Sequence, residues 1–249
     1  MPAATQLGLR AAEIAGTASG VALVRRFSEW YARESTTANY DWFIRLPALL
    51  YFGTGIWMQV RAISWEMTAA EPPALSSLSA RLAALAVLVL FAVLTLMRSR
   101  PVARSKGLVP RLAAVIGVAA GFGFAFLERP EPVAWLDAVS AVTIAISGVL
   151  TCYVLLWLGR SFSTMPEARK LVTSGPYRFV RHPLYVAEEL AVLGLFLQYR
   201  TAPALLLIVV QIALQLSRMR YEERVLGEAF PDEYEAYSRT TARLIPGVY

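Results

Sequence analysis

The run Gly175-Pro176-Tyr177-Arg178-Phe179-Val180-Arg181-His182-Pro183-Leu184-Tyr185 concentrates side chains that bind ligands and hold protons, including the only histidine in 249 residues. Pro183 suits the first turn of a helix, which places His182 at the cap. Tyr185 at i+3 and Glu189 at i+7 then share a face of that helix, with Glu188 beside them. Carboxylates just inside an apolar helix are costly and normally face a polar cavity or a partner. Arg178 and Arg181 are the candidate partners; the alternative is a structural ion-pair cluster that anchors the helix.

A second polar stripe follows. Gln211, Gln215, Arg218 and Glu222 are spaced by four, three and four residues, which keeps them on one helical face. Arg220 and Glu223 lie beside it. A Glu-Glu pair is ordinarily a solvated face, but this one continues a polar face that begins within an apolar stretch. A cavity between the two helices would account for both stripes. It would offer carboxylates, an imidazole, tyrosine rings and a helix N-terminus, a set suited to a zwitterionic, aromatic-containing cofactor next to an apolar compartment. A single histidine with no accompanying ligand set argues against a metal centre. No Gly-x-Gly-x-x-Gly follows a predicted strand and no Walker-type loop occurs, which argues against a soluble dinucleotide-binding domain.

The elements that must position these groups are membrane helices. The chain is 57% hydrophobic and 17% charged, with a mean hydropathy of +0.49. Soluble domains run about 45–50% apolar and about 25% charged. The net charge of +6 fits loops facing anionic lipid rather than nucleic acid. The one cysteine, Cys152, lies in an apolar run and reads as a small core residue. No cleavable signal peptide is expected at the start.

Apolar segments recur at 42–60, 82–97, 112–127 and 134–158, then at 184–197 and 202–217. A span takes ~20 residues, so several of these need help from their flanks. The last two form a tight helical hairpin, with Pro203 starting its second helix. The expected fold is therefore all-α, a polytopic membrane helical bundle of five to six spans that includes the C-terminal hairpin, followed by cytoplasmic C-terminal helices. Three regions are expected. Residues 1–41 form an amphipathic interfacial segment or a helix packed on the protein's own surface, 42–158 a four-span bundle, and 159–249 the cofactor-binding catalytic region. Residues 98–111 carry Arg98, Arg100, Arg104, Lys106 and Arg111 and no acid. Residues 128–137 carry Glu128, Glu131 and Asp137 against Arg129, and 159–182 are basic again. This alternation places the N-terminus, the central motif and the C-terminus in the cytoplasm. Gly117 and Gly121 have the small-xxx-small spacing that lets helices approach closely.

Leu158-Gly159-Arg160-Ser161-Phe162-Ser163, Leu171-Val172-Thr173-Ser174-Gly175-Pro176-Tyr177 and Arg181-His182-Pro183-Leu184-Tyr185 resemble the isoprenylcysteine carboxyl methyltransferase family. So do Arg220-Tyr221-Glu222-Glu223-Arg224-Val225-Leu226 and the later Phe230, Tyr234, Tyr237 and Arg243-Leu244-Ile245-Pro246. The resemblance covers about residues 157–246. It implies S-adenosylmethionine as methyl donor and a lipophilic acceptor, dissolved in the membrane, arriving from the bilayer. Cofactor contacts carried over by motif, with the neighbouring charges, are Tyr177, Arg181, His182, Tyr185, Glu189, Glu222 and Glu223. Arg220 would orient an acceptor carboxylate, and Glu223 could serve as a base for an amine acceptor. Phospholipid N-methyltransferases share the paired glutamates, so a phospholipid amine or a small thiol is an alternative acceptor. Membrane sterol reductases, which use NADPH, share an Arg-His-Pro-Asn-Tyr element; Leu184 stands here in place of the asparagine.

Overall fold

In a computed structural model, residue 22 and residues 38–68, 75–105 and 109–247 are described. The expected interfacial helix at 1–41 lies almost wholly outside the described residues. The chain divides into two compact units, Met1–Arg45 and Leu46–Tyr249. In the first, Arg45 forks onto Asp41 one helical turn earlier, at 3.0 and 2.6 Å.

The described residues form seven α-helices: α1 (Ala38–Thr68), α2 (Leu75–Met97), α3 (Val109–Ala120), α4 (Ala134–Leu158), α5 (Pro183–Tyr199), α6 (Ala202–Ala229) and α7 (Pro231–Thr240). The only sheet among them is a two-residue antiparallel pair, β1 (Ala103–Arg104) with β2 (Glu167–Ala168). The protein is thus an all-α membrane bundle. Among the described residues, three helical stretches are long and apolar enough to cross a bilayer: Leu78–Met97, Ala134–Ser161 and Ala202–Ala229. α3 has 12 residues and tightens into a 3₁₀ segment, Gly121–Phe126, and α5 has 17. Both fall short of the ~20 residues a full span takes.

The α5–α6 hairpin forms where the sequence places it. Arg200 closes α5 in the left-handed conformation (φ 42°). Thr201 caps α6 by accepting from the Ala204 N–H at 3.3 Å, and Pro203 occupies the first turn. α6 does not stop where its apolar stretch ends. It runs on through Arg218, Glu222 and Glu223 to Ala229, because no proline interrupts the helix until Pro231. One rigid element therefore carries the polar stripe out of the apolar region.

α5 packs most extensively on α4. Ser140 Oγ donates to the Gly194 carbonyl at 2.7 Å, and Gln198 Nε2 donates to Ser140 Oγ at 2.8 Å. Ser147 Oγ donates to the Ala187 carbonyl at 2.8 Å. A Cβ on Gly194 would stand 2.6 Å from Ile144, so this crossing requires glycine. Interhelical bonds from small polar residues replace the hydrophobic drive that lipid cannot supply. An apolar cluster joins Leu94, Val154, Leu155, Phe162, Tyr177 and Leu184, holding the central motif against α2 and α4.

The loops after α2 and α4 are tied by a buried charge cluster. The Glu167 carboxylate lies 2.6 Å from Arg169, 3.2 Å from Arg104 and 3.9 Å from Arg98, and it accepts from Ser163 Oγ at 3.0 Å. Removing one member of a buried ion pair typically costs about 3–5 kcal/mol, because the partner charge is stranded. Glu167→Gln is expected to lower stability by that order, read as a fall in thermal unfolding temperature in detergent. A wild-type unfolding temperature would show that the arginines find other compensation.

Candidate active site

The central motif enters as a 3₁₀ turn, Gly175–Arg178, and becomes α5 at Pro183. Gly175 takes φ +61°, and a Cβ there would lie 2.5 Å from Cε2 of Trp157. Only glycine accommodates both the left-handed backbone and the indole. His182 is the residue before α5. Its ring stacks on Tyr185, with centroids 5.4 Å apart and planes 10° from parallel. The i, i+3 spacing read from the sequence produces this stack.

α6 supplies the facing wall. Tyr185 donates its phenolic hydrogen to Glu222. The Arg218 guanidinium lies 5.0 Å over the Tyr185 ring. It donates to Gln215 Oε1 at 3.1 Å and to the Thr164 carbonyl at 3.2 Å. Gln215 in turn donates to Glu188 at 2.6 Å. A continuous polar chain, Glu188–Gln215–Arg218–Tyr185–Glu222, therefore links the two helices of the hairpin. Gly117 of α3 sits 3.5 Å from the Arg218 side chain, measured from an ideal Cβ.

These groups border a cavity of about 990 Å³. Tyr177, His182, Tyr185, Arg218 and Glu222 line its polar part. Val87, Leu88 and Phe91 of α2, with Gly148 and Cys152 of α4, line an apolar part. Among the buried polar atoms of wall residues that have no hydrogen-bond partner are Thr164 Oγ1 and Gln211 Oε1. Unsatisfied buried groups are costly, and these two offer a donor–acceptor and an acceptor to a ligand.

The residues singled out from the sequence divide into two groups. Tyr177, Arg181, His182, Tyr185 and Glu222 reach the cavity wall. Glu223, Glu189 and Arg220 do not. Arg220 is exposed, and Arg218, one half-turn earlier, takes the inward position. Glu189 Oε1 is buried without a partner. Arg178 lies over Phe179 at 4.5 Å, so it does not serve the α5 carboxylates. Arg181 pairs with Glu223 of α6 at 3.1 Å.

Glu223 is occupied by the protein itself. Arg243 forks onto its two oxygens at 2.9 and 2.6 Å, and His182 Nε2 lies 3.2 Å from Oε1. A carboxylate so engaged has little capacity left to receive a proton or hold a ligand. Glu222 is better disposed for either task. The inward residues missed by motif matching are Arg218 and Glu188. The available signal was the i, i+4 register of Arg218 with Glu222, which keeps both on the stripe that starts at Gln211.

Tyrosines brace the site from α7. Tyr237 donates to the Tyr177 carbonyl at 2.6 Å, and Arg181 donates to the Tyr234 hydroxyl at 3.3 Å. Burial pushes the Tyr234 phenol up to about 12, with the Glu223 charge adding to the effect. Burial also raises Tyr237, reinforced by Tyr234. Burial raises Tyr177 as well, with Glu222 contributing next. The folded protein thus retains phenolic protons that the unfolded chain releases near the ordinary tyrosine value of ~10. Stability from these groups is complete below ~10 and declines as pH rises from there toward about 12. Absorbance titration at the tyrosinate band is expected to show a late-ionising fraction, reduced in Tyr234→Phe. Uniform ionisation near 10 in folded protein would contradict the burial.

The fold and site define a membrane-embedded binding chamber on a helical hairpin, and residues 133–233 match the family model of the phospholipid methyltransferases. That segment contains α4 to α6 and most of the site. The cobalt-zinc-cadmium resistance protein CzcN of Cupriavidus metallidurans is 37% identical over 106 residues, covering 42% of this chain and 45% of that protein. The nickel-cobalt-cadmium resistance protein NccN of Alcaligenes xylosoxydans xylosoxydans is 31% identical over 114 residues, covering 45% and 52%. The chain spans about half the length of these curated relatives. A solved eukaryotic intramembrane Ras methyltransferase, isoprenylcysteine carboxyl methyltransferase, superposes with a TM-score of 0.48 at 18% identity over 94% of each chain.

Proposed function

We propose that this protein is an integral-membrane methyltransferase that uses S-adenosylmethionine and moves a methyl group to a lipophilic acceptor. The observation that carries this reading is the single cavity that joins a charged, aromatic chamber to an apolar slot between α2 and α4. A water-soluble cofactor and a membrane-dissolved acceptor can meet only in such a chamber. The match of residues 133–233 to phospholipid methyltransferases supports the same reaction class.

The wall fits the cofactor chemically. Carboxylates at Glu222 and Glu188 suit a sulfonium and an ammonium. The N-terminus of α5, beside His182, suits a carboxylate. Tyr177 and Tyr185 offer rings, and Thr164 and Gln211 offer unused hydrogen-bonding atoms. When bound, the cofactor supplies an electrophilic methyl carbon on a positively charged sulfur. The protein's share is to align the acceptor with that carbon and to exclude water, contributions worth several kcal/mol.

Arg218 takes the role anticipated for Arg220. It projects into the cavity and is held from two sides, by Gln215 and by the Thr164 carbonyl. A guanidinium so fixed suits an acceptor carboxylate, as in an isoprenylcysteine-like substrate. Glu188 favours a second acceptor class. Its carboxylate faces the same cavity and suits an amine, as in a phospholipid head group. Glu222 would then accept the amine's proton. The basic loops at 98–105 and 159–182 support a cytoplasmic position for the chamber's polar end.

Titration of purified protein in nanodiscs with S-adenosylhomocysteine and, separately, with NADPH tests the cofactor. Binding of the adenosyl ligand is expected, and Glu222→Ala should weaken it about tenfold or more, equivalent to about 1.4 kcal/mol. NADPH binding with no adenosyl binding would overturn the proposal in favour of a reductase. Product formation from carboxylate, amine and thiol acceptors bearing one common lipid tail then separates the acceptor classes. Arg218→Ala is expected to abolish transfer to a carboxylate, and Glu188→Gln to reduce transfer to an amine.

A further inference from the structure

The C-terminal segment approaches the site from outside the hairpin. The Arg181 N–H donates to the Ala242 carbonyl at 2.8 Å, and the His182 N–H to the Arg243 carbonyl at 3.1 Å. Val180 and Ala242 form a parallel bridge. The backbone around residue 243 is thereby bonded to the residue that carries the chain's only imidazole. The Arg243 side chain then reaches past the backbone pairing to fork onto Glu223. A bidentate guanidinium–carboxylate contact fixes the plane of the carboxylate as well as its position.

Glu223 passes that constraint to His182. Its Oε1 is 3.2 Å from His182 Nε2, and Arg181 bonds the same oxygen at 3.1 Å. A carboxylate accepts and cannot donate, so the proton of a neutral imidazole is held on Nε2. Nδ1 is then left unprotonated. It lies 3.9 Å from Glu222 Oε2, too far for a hydrogen bond, and the ring borders the cavity.

We propose that Arg243 is a positioning residue for the cofactor chamber. Acting through Glu223, it locks the His182 imidazole in the Nε2–H tautomer and leaves Nδ1 as the acceptor available to a ligand. Arg243 and Glu223 do not themselves touch the ligand. This assigns the two adjacent glutamates different tasks: Glu222 faces the chamber, while Glu223 belongs to the frame. The proposal rests on the reading of the chamber as a cofactor site for its consequence, but its geometric claim stands apart from the ligand's identity.

The single histidine makes the test direct. Full-length protein labelled with ¹⁵N-histidine gives one imidazole, whose two nitrogen shifts report the tautomer. Spectra are recorded as a pH series into the alkaline range, and the tautomer is read on the neutral-ring plateau. Wild type is expected to show two widely separated shifts with the proton on Nε2. Arg243→Met should bring the shifts toward averaged values and weaken S-adenosylhomocysteine binding about tenfold, with partial recovery of both in Arg243→Lys. Glu223→Gln, which keeps the shape but offers an amide donor to the guanidinium, should alter the shifts in the same direction and serves if Arg243→Met fails to fold. An unchanged Nε2–H pattern in the folded variants would overturn the proposal, as would a wild-type ring protonated on Nδ1. Failure of wild type to bind the adenosyl ligand would instead remove the methyltransferase reading, with the nitrogen shifts still deciding the tautomer claim.

Discussion

A charged group placed beside a bilayer must be answered by another charge, a hydrogen bond or a ligand, and the last third of this protein is organised by that requirement. Glu223 is answered three times over, by Arg243, Arg181 and His182. Arg218 is answered by Gln215, by a main-chain carbonyl and by the Tyr185 ring. Glu167 sits among three arginines. Each set joins segments distant in sequence. The charged residues therefore act as fasteners between elements whose apolar surfaces lipid could satisfy equally well.

This division clarifies the chamber. Groups engaged on every side form its frame, and groups with unused capacity form its working surface. Thr164, Gln211 and Glu222 are of the second kind, and Glu223 is of the first. The continuous α6 helix makes the arrangement possible. It carries Gln211 within the apolar stretch and Glu222 beyond it on one rigid face, so the polar part and the apolar slot share a wall. The short α3 helix meets the Arg218 side chain at Gly117.

Much of the scaffold was legible beforehand. Apolar segments predicted at 82–97 and 134–158 lie within α2 and α4, and Pro203 stands in the first turn of the hairpin's second helix as expected, because proline effects are local. The polar stripe from Gln211 to Glu222 was legible because helical periodicity places spaced residues on one face whatever surrounds them. Arg220 and Glu223 do not line the cavity, for the converse reason. They are neighbours of the stripe in sequence, but a step of two residues or one turns a side chain by roughly 200° or 100° about an α-helix.

The sequence by itself determined an all-α membrane chain, a hairpin opened by His182-Pro183, and a face of polar residues continuing out of the apolar region. These follow from composition, local backbone preference and period, which need no knowledge of the partner surface. Only the tertiary structure decided which carboxylate faces the cavity and which is clamped. That choice depends on Arg243, 20 residues beyond Glu223, and on α7 and the final segment returning to pair with the backbone of Arg181 and His182. Long-range ion pairing follows from where the chain returns in space, and no local rule encodes that.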